Sequence, residues 1–87
     1  MYELEIRENF DRALRKLAKK DSQQMGAVTK KIKETAEDPH AFKPLHFPLA
    51  GKRWVQLGSF VLIFSVDESR RTVVLEDYEH YDRVCKD

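Results

Sequence analysis

Phe60 to Val66, reading FVLIFSV, is apolar at odd and even positions alike, so a strand made of it must be covered on both faces. Such a strand belongs in the middle of a sheet. Phe60, Leu62, Phe64 and Val66 then lie beneath a packed layer, and Val61, Ile63 and Ser65 look the other way. Gly58-Ser59, just before it, is a two-residue connection of the kind that closes a tight antiparallel turn, so Arg53 to Leu57 is the preceding strand of a hairpin. In that strand Val55 and Leu57 share the covered side, which leaves Trp54 and Gln56 on the open one. Asp67 to Arg70 reads as a second turn. Thr72 to Tyr78 follows as a third strand, with Val73 and Leu75 on one side and Val74 and Glu76 on the other.

The N-terminal half has different periods. YELEIR alternates, placing Tyr2, Leu4 and Ile6 on one side of a strand whose apolar face is expected to be buried. Phe10, Ala13, Leu14 and Leu17 then recur at helical spacing, with Asn9 as a possible N-cap and Arg12, Arg15, Lys16, Lys19 and Lys20 in the remaining positions. Asp21 or Ser22 can cap a second helix with the stripe Met25, Val28, Ile32 and Thr35 or Ala36. That helix must stop near Asp38, because Pro39 lacks a backbone donor and disfavours helix in the residue before it. Pro44 and Pro48 keep residues 39 to 50 irregular. The expectation is one α+β domain of order β-αα-βββ, a small antiparallel sheet with a two-helix hairpin on one face.

Composition narrows the function classes. Sixteen Lys and Arg against 15 Asp and Glu give a net charge of +1, no global reason to expect nucleic acid or a membrane, so any basic function is local. A single cysteine, Cys85, cannot form an intrachain disulfide, and no CxxC or Cys/His cluster suggests zinc. No apolar run approaches the roughly 20 residues of a membrane span, and the first residues lack the regions of a signal peptide. A cytoplasmic protein without metal or small-molecule cofactor is the expectation.

Phe10, Leu14 and Leu17, then Asp38-Pro39, Lys43-Pro44-Leu45, Leu49-Ala50-Gly51, Gly58-Ser59-Phe60, the strand ending Phe64-Ser65-Val66-Asp67, and finally His80, stand in the order and spacing of the RelE/ParE toxin superfamily. Over almost its whole length the chain resembles these small toxins of type II toxin–antitoxin systems. The resemblance implies a RelB-like antitoxin that wraps the toxin, and ribosome-dependent cleavage of mRNA without a metal. Such cleavage needs the ribose 2′-oxygen in line with the phosphorus, a group to take its proton, donors for the charge growing on phosphate, and an acid for the leaving oxygen. The family positions that usually supply basic and tyrosine side chains fall here on Trp54, Gln56, Val61, Tyr81 and, at or near the end, Cys85.

Substitutes are available. His80, Tyr81 and Lys52 are the candidate catalytic residues, with His46 a further histidine able to act as acid or base. Lys43, Arg53 and Arg83 are candidate RNA contacts, and Lys16, Lys19, Lys20, Lys30, Lys31 and Lys33 could reach ribosomal RNA phosphates. Trp54, Gln56, Val61 and Ile63 would form an apolar platform on the open sheet face that a partner covers, burying on the order of 1,600 Å². Two other readings share the architecture: a non-catalytic, antitoxin-bound binding protein, and a gyrase-directed toxin of the ParE branch.

Overall fold

The computed structural model describes residues 1–44 and 51–84, so His46 and Cys85 lie outside the described residues. In chain order the elements are β1 (Glu3–Ile6), α1 (Glu8–Lys20), α2 (Ser22–Glu37), a turn of 3-10 helix (Pro39–Ala41), β2 (Lys43–Pro44), β3 (Lys52–Leu57), β4 (Phe60–Asp67), β5 (Thr72–His80) and α3 (Tyr81–Val84). The β-αα-βββ order holds, and the strands form one sheet in the order β1-β5-β4-β3-β2 with β4 at its centre. The sheet is mixed, not purely antiparallel. β1 runs parallel to β5, Leu4 opposite Val73 and Ile6 opposite Leu75, because the helical hairpin carries the chain back before β3 begins.

Helix α1 begins at Glu8, its cap two residues before the expected Asn9. Arg7 occupies the cap without a side-chain bond, while Glu8 and Asp11 in the first turn and Lys19 and Lys20 in the last suit the helix dipole. Asp21 caps α2 as expected, its carboxylate accepting the Gln24 N–H at 3.0 Å. Replacing Asp21 by Ala should cost about 1 kcal/mol. A thermal melt would show Tm lower by about 4–8 °C, with Asp21→Asn close to the parent.

Phe10, Leu14 and Val28 from the helices meet Leu57, Leu62, Phe64, Val73, Leu75 and Tyr78 from the sheet, and this one layer is the core. Phe42 lies edge-on to Phe64 at 5.7 Å, Phe60 stacks on Tyr78 at 5.1 Å, and Gln24 Nε2 donates to the Tyr78 hydroxyl at 3.0 Å, satisfying the buried phenol. The first strand departs from expectation. Tyr2 packs on the core, but Leu4 and Ile6 are 44% and 48% exposed, because β1 sits at the sheet's outer edge with a strand on one side only. Tyr2 is tied down separately. Its hydroxyl donates to Glu68, which also pairs with His40, and the Arg71 guanidinium lies 4.6 Å over its ring.

Residues 39–44 are more ordered than their prolines suggested. β2 pairs with β3, Lys43 opposite Trp54 and Pro44 opposite Arg53, a pairing Pro44 tolerates because β2 is an edge strand. At the other end Gly58 takes φ +61° in the β3–β4 turn, a conformation that costs a Cβ-bearing residue about 1 kcal/mol. β5 contains one irregularity that matters below. Ile63 pairs with Asp77 but Phe64 with Leu75, so Glu76 is an extra residue, a β-bulge.

Candidate functional site

Cross-strand register fixes what the face turned away from the helices carries. Trp54 stands opposite Ile63, Gln56 opposite Val61 and Lys52 opposite Ser65, with Lys43 beside Trp54 on the outer strand. Across β4, Val61 pairs with Glu79, Ile63 with Asp77 and Ser65 with Val74. The uncovered apolar platform expected here is corrected: Val61 and Ile63 are 0% and 5% exposed. Helix α3 folds back from β5, the Tyr81 N–H donating to the Ser59 carbonyl at 2.8 Å, and the Tyr81 ring sits 6.3 Å from that of Trp54. Buried residues offer a partner little surface. Among the described residues, half-buried Trp54 and exposed Tyr81 are the aromatic surface of this face, next to exposed Gln56, whose amide donates to the Gly58 carbonyl at 3.1 Å.

The charges on this face are balanced in pairs. Lys52 Nζ lies 3.7 Å from Glu76 Oε1, Arg7 Nε lies 3.9 Å from the same oxygen, and Ser65 donates to Glu76 Oε2 at 2.7 Å. Arg70 reaches Glu5 at 2.8 Å and Arg83 reaches Glu79 at 3.6 Å. Asp77 is the acid in the least favourable place. Burial and then the Glu79 and Glu76 charges push its carboxyl above the ordinary carboxylate range, with Lys52 pulling the other way. A raised native pKa means the folded state holds the proton longer, so stability falls as pH rises from the unfolded value, about 3.9, through the native one. Asp77→Asn should therefore melt higher than the parent at pH 7, and the advantage should vanish in melts near pH 3.

Two candidates prove to be elsewhere. Arg53 is opposite Phe64 on the helix-facing side, where it donates to the Phe42 carbonyl at 2.7 Å and pins the 3-10 turn to the sheet. His80 is opposite Phe60 on the same side, its ring edge-on to Phe60 at 5.3 Å and its Nδ1 accepting the Asp82 N–H at 3.3 Å. Lys52 and His80 thus lie on opposite faces. They are also separated by five residues of strand, roughly 16 Å of rise. Of the expected trio, Tyr81 and Lys52 lie on the open face, with Lys43 and Trp54 beside them, and His80 lies on the other face.

His80 instead lines a groove of about 810 Å³ between α1 and the far end of β5, with Arg12, Lys16 and Lys20 on the helical wall and Leu17 and Phe60 among its apolar residues. β5 pairs with β1 as far as Leu75, so among the described residues its Asp77–His80 edge borders this groove without a strand partner. Sequence reading missed the groove, and it missed Glu76 as the carboxylate that Lys52 and Arg7 share. A signal for Glu76 was present: Glu76-Asp77 breaks the alternation of the strand, as a bulge does.

No family model matches the sequence. By its fold and its relatives, however, the chain belongs to the RelE-like toxins of the RelE/ParE superfamily. A candidate toxin named RelE4 from Methanocaldococcus jannaschii is 41% identical over 87 residues, covering 99% of this chain and 93% of that one. The RelBE2 toxin–antitoxin complex of Mycobacterium tuberculosis contains a chain 26% identical, with a TM-score of 0.78 over 91% of this chain and 96% of that one. The YoeB/ParE toxin of Agrobacterium tumefaciens, 13% identical, shares the fold with a TM-score of 0.83 over 91% of this chain and 98% of that one.

Proposed function

We propose that the chain is the toxin of a type II toxin–antitoxin pair and inhibits translation by ribosome-dependent cleavage of mRNA, with RNA engaged on the open sheet face. The observation that carries this is the Trp54–Tyr81 ring pair with Lys43 opposite Trp54 and Lys52 two residues away on the same face. Two adjacent aromatic rings stack bases of any sequence, and neighbouring ammonium groups hold the phosphates between them. Among the described residues of this face, the groups with a proton to move are the Tyr81 hydroxyl and the Asp77 carboxyl, the latter held above the ordinary carboxylate range first by burial. Positive groups are few among the described residues of this face. Each preorganised donor missing from a developing oxyanion costs roughly a hundred- to a thousandfold in rate, so turnover is slow without groups from the ribosome.

The antitoxin fits the groove between α1 and β5. Its apolar residues and the unpaired edge of β5 suit an amphipathic helix or an added strand, which the buried Val61 and Ile63 do not. The M. tuberculosis neighbour, solved as a toxin–antitoxin complex, supports such a partner. Induced expression should arrest growth and produce new 5′ ends at fixed codon positions in translated messages. Purified protein that leaves mRNA ends unchanged on programmed ribosomes would overturn the reading.

A further inference from the structure

The bulge at Glu76 sets its carboxylate inside a ring of donors. Leu75 and Tyr78 both face the core, so the extra residue turns Glu76 and Asp77 together onto the open face. Glu76 is the less exposed partner of each of its pairs, its side chain 19% accessible against 36% for Lys52 and 59% for Arg7. Ser65 bonds one oxygen at 2.7 Å, while the ammonium of Lys52 and the guanidinium of Arg7 approach the other at 3.7 and 3.9 Å. Those two separations are beyond hydrogen-bond length, so neither cation has spent its donors on the carboxylate. A hydroxyl and two cations converging on one small anion form an anion subsite, and in the free protein its occupant is the chain's own carboxylate.

We infer that Lys52, Arg7 and Ser65 form a phosphodiester subsite for single-stranded RNA that Glu76 fills and thereby weakens. Position supports RNA as the ligand. Lys52 and Trp54 are two residues apart on one face, about 7 Å, so a base stacked on Trp54 brings an adjoining phosphate to Lys52. Glu76 is the carboxylate shared by both cations, so its removal lowers the negative charge on both at once, while Asp77 still faces Lys52 and Glu5 still lies 3.8 Å from Arg7.

The inference rests on the proposed RNA engagement but is tested without cleavage. Binding of a fluorescein-labelled 12-nucleotide oligouridylate would be followed by anisotropy between 50 and 200 mM salt. Glu76→Gln keeps a partner for Ser65 and removes one negative charge about 4 Å from each cation, so affinity should rise roughly fivefold or more at low salt. The slope of log affinity against log salt should steepen by about 0.7 for each phosphate gained. Glu37→Gln, the same charge change on exposed α2, controls for net charge and should bind nearly as the parent does. Adding Lys52→Ala to Glu76→Gln should return affinity to the parental value. The inference falls if Glu76→Gln binds no better than Glu37→Gln, or if Lys52→Ala leaves its gain intact. Tighter binding in a chain that neither arrests growth nor cuts mRNA would uphold the subsite and defeat the proposed function; growth arrest with no gain in binding would do the reverse.

Discussion

Phe64→Ala should leave the domain only marginally stable and partly unfolded at 37 °C. Phe64 is 0% exposed, lies on the central strand between Arg53 and Leu75, and meets Phe42 edge to face at 5.7 Å. Removing a fully buried phenyl ring costs about 3–5 kcal/mol, the lost transfer energy plus that of the cavity left behind. The whole stability of a small domain is about 5–15 kcal/mol, and a chain this short, burying only some 60% of its unfolded surface, sits toward the low end. Urea titration followed by circular dichroism would locate the midpoint. Phe64→Leu, closer in shape and volume, should lose about 1.5 kcal/mol or less and keep a cooperative transition. An alanine variant within 1 kcal/mol of the parent would mean that the core is not centred on β4.

The apolar pattern of β4 alone places Phe64 in the core. Strands with one obligatory arrangement were legible: FVLIFSV is apolar at every position but one and had to be central, and Gly58-Ser59 allowed only a tight turn. The helices were legible for the same reason, their apolar stripes having one period and one place to go. Features decided by neighbours were not. Leu4 and Ile6 alternate as a half-buried strand should, yet pairing at the sheet's edge leaves them exposed. Val61 and Ile63 alternate as residues of an open face should, yet both are buried in the folded chain, where the Tyr81 ring of α3 stands beside Trp54.

The candidate site was legible residue by residue and illegible as a set. His80, Tyr81 and Lys52 have suitable chemistry, but consecutive strand residues point to opposite faces, so which of His80 and Tyr81 joins Lys52 depends on register. One extra residue in β5 decides it. The bulge at Glu76 shifts the register between Phe64 and Ile63, setting His80 opposite Phe60 on the helix side. It also supplies the carboxylate that neutralises Lys52, so the open face carries less positive charge than its lysines alone would give.

Trp54→Ala and Tyr81→Ala should each weaken binding of single-stranded RNA by about tenfold to a hundredfold, and His80→Ala should leave it unchanged. A base stacked on an aromatic side chain is worth about 1–3 kcal/mol. Because the two rings stand 6.3 Å apart and form one platform, the double variant should lose less than the sum of the single losses. Trp54→Phe keeps a stacking surface and should keep most of the affinity. His80 has a local role: its ring edge packs on Phe60 and its Nδ1 accepts the Asp82 N–H, so alanine there should cost stability modestly without touching the open face. Anisotropy with a labelled oligonucleotide measures the first effect, and cleavage on programmed ribosomes tests whether catalysis follows it. If His80→Ala abolishes cleavage while the two aromatic variants retain it, the chemistry belongs instead to the groove beside α1, where Lys16 and Lys20 line the wall shared with His80.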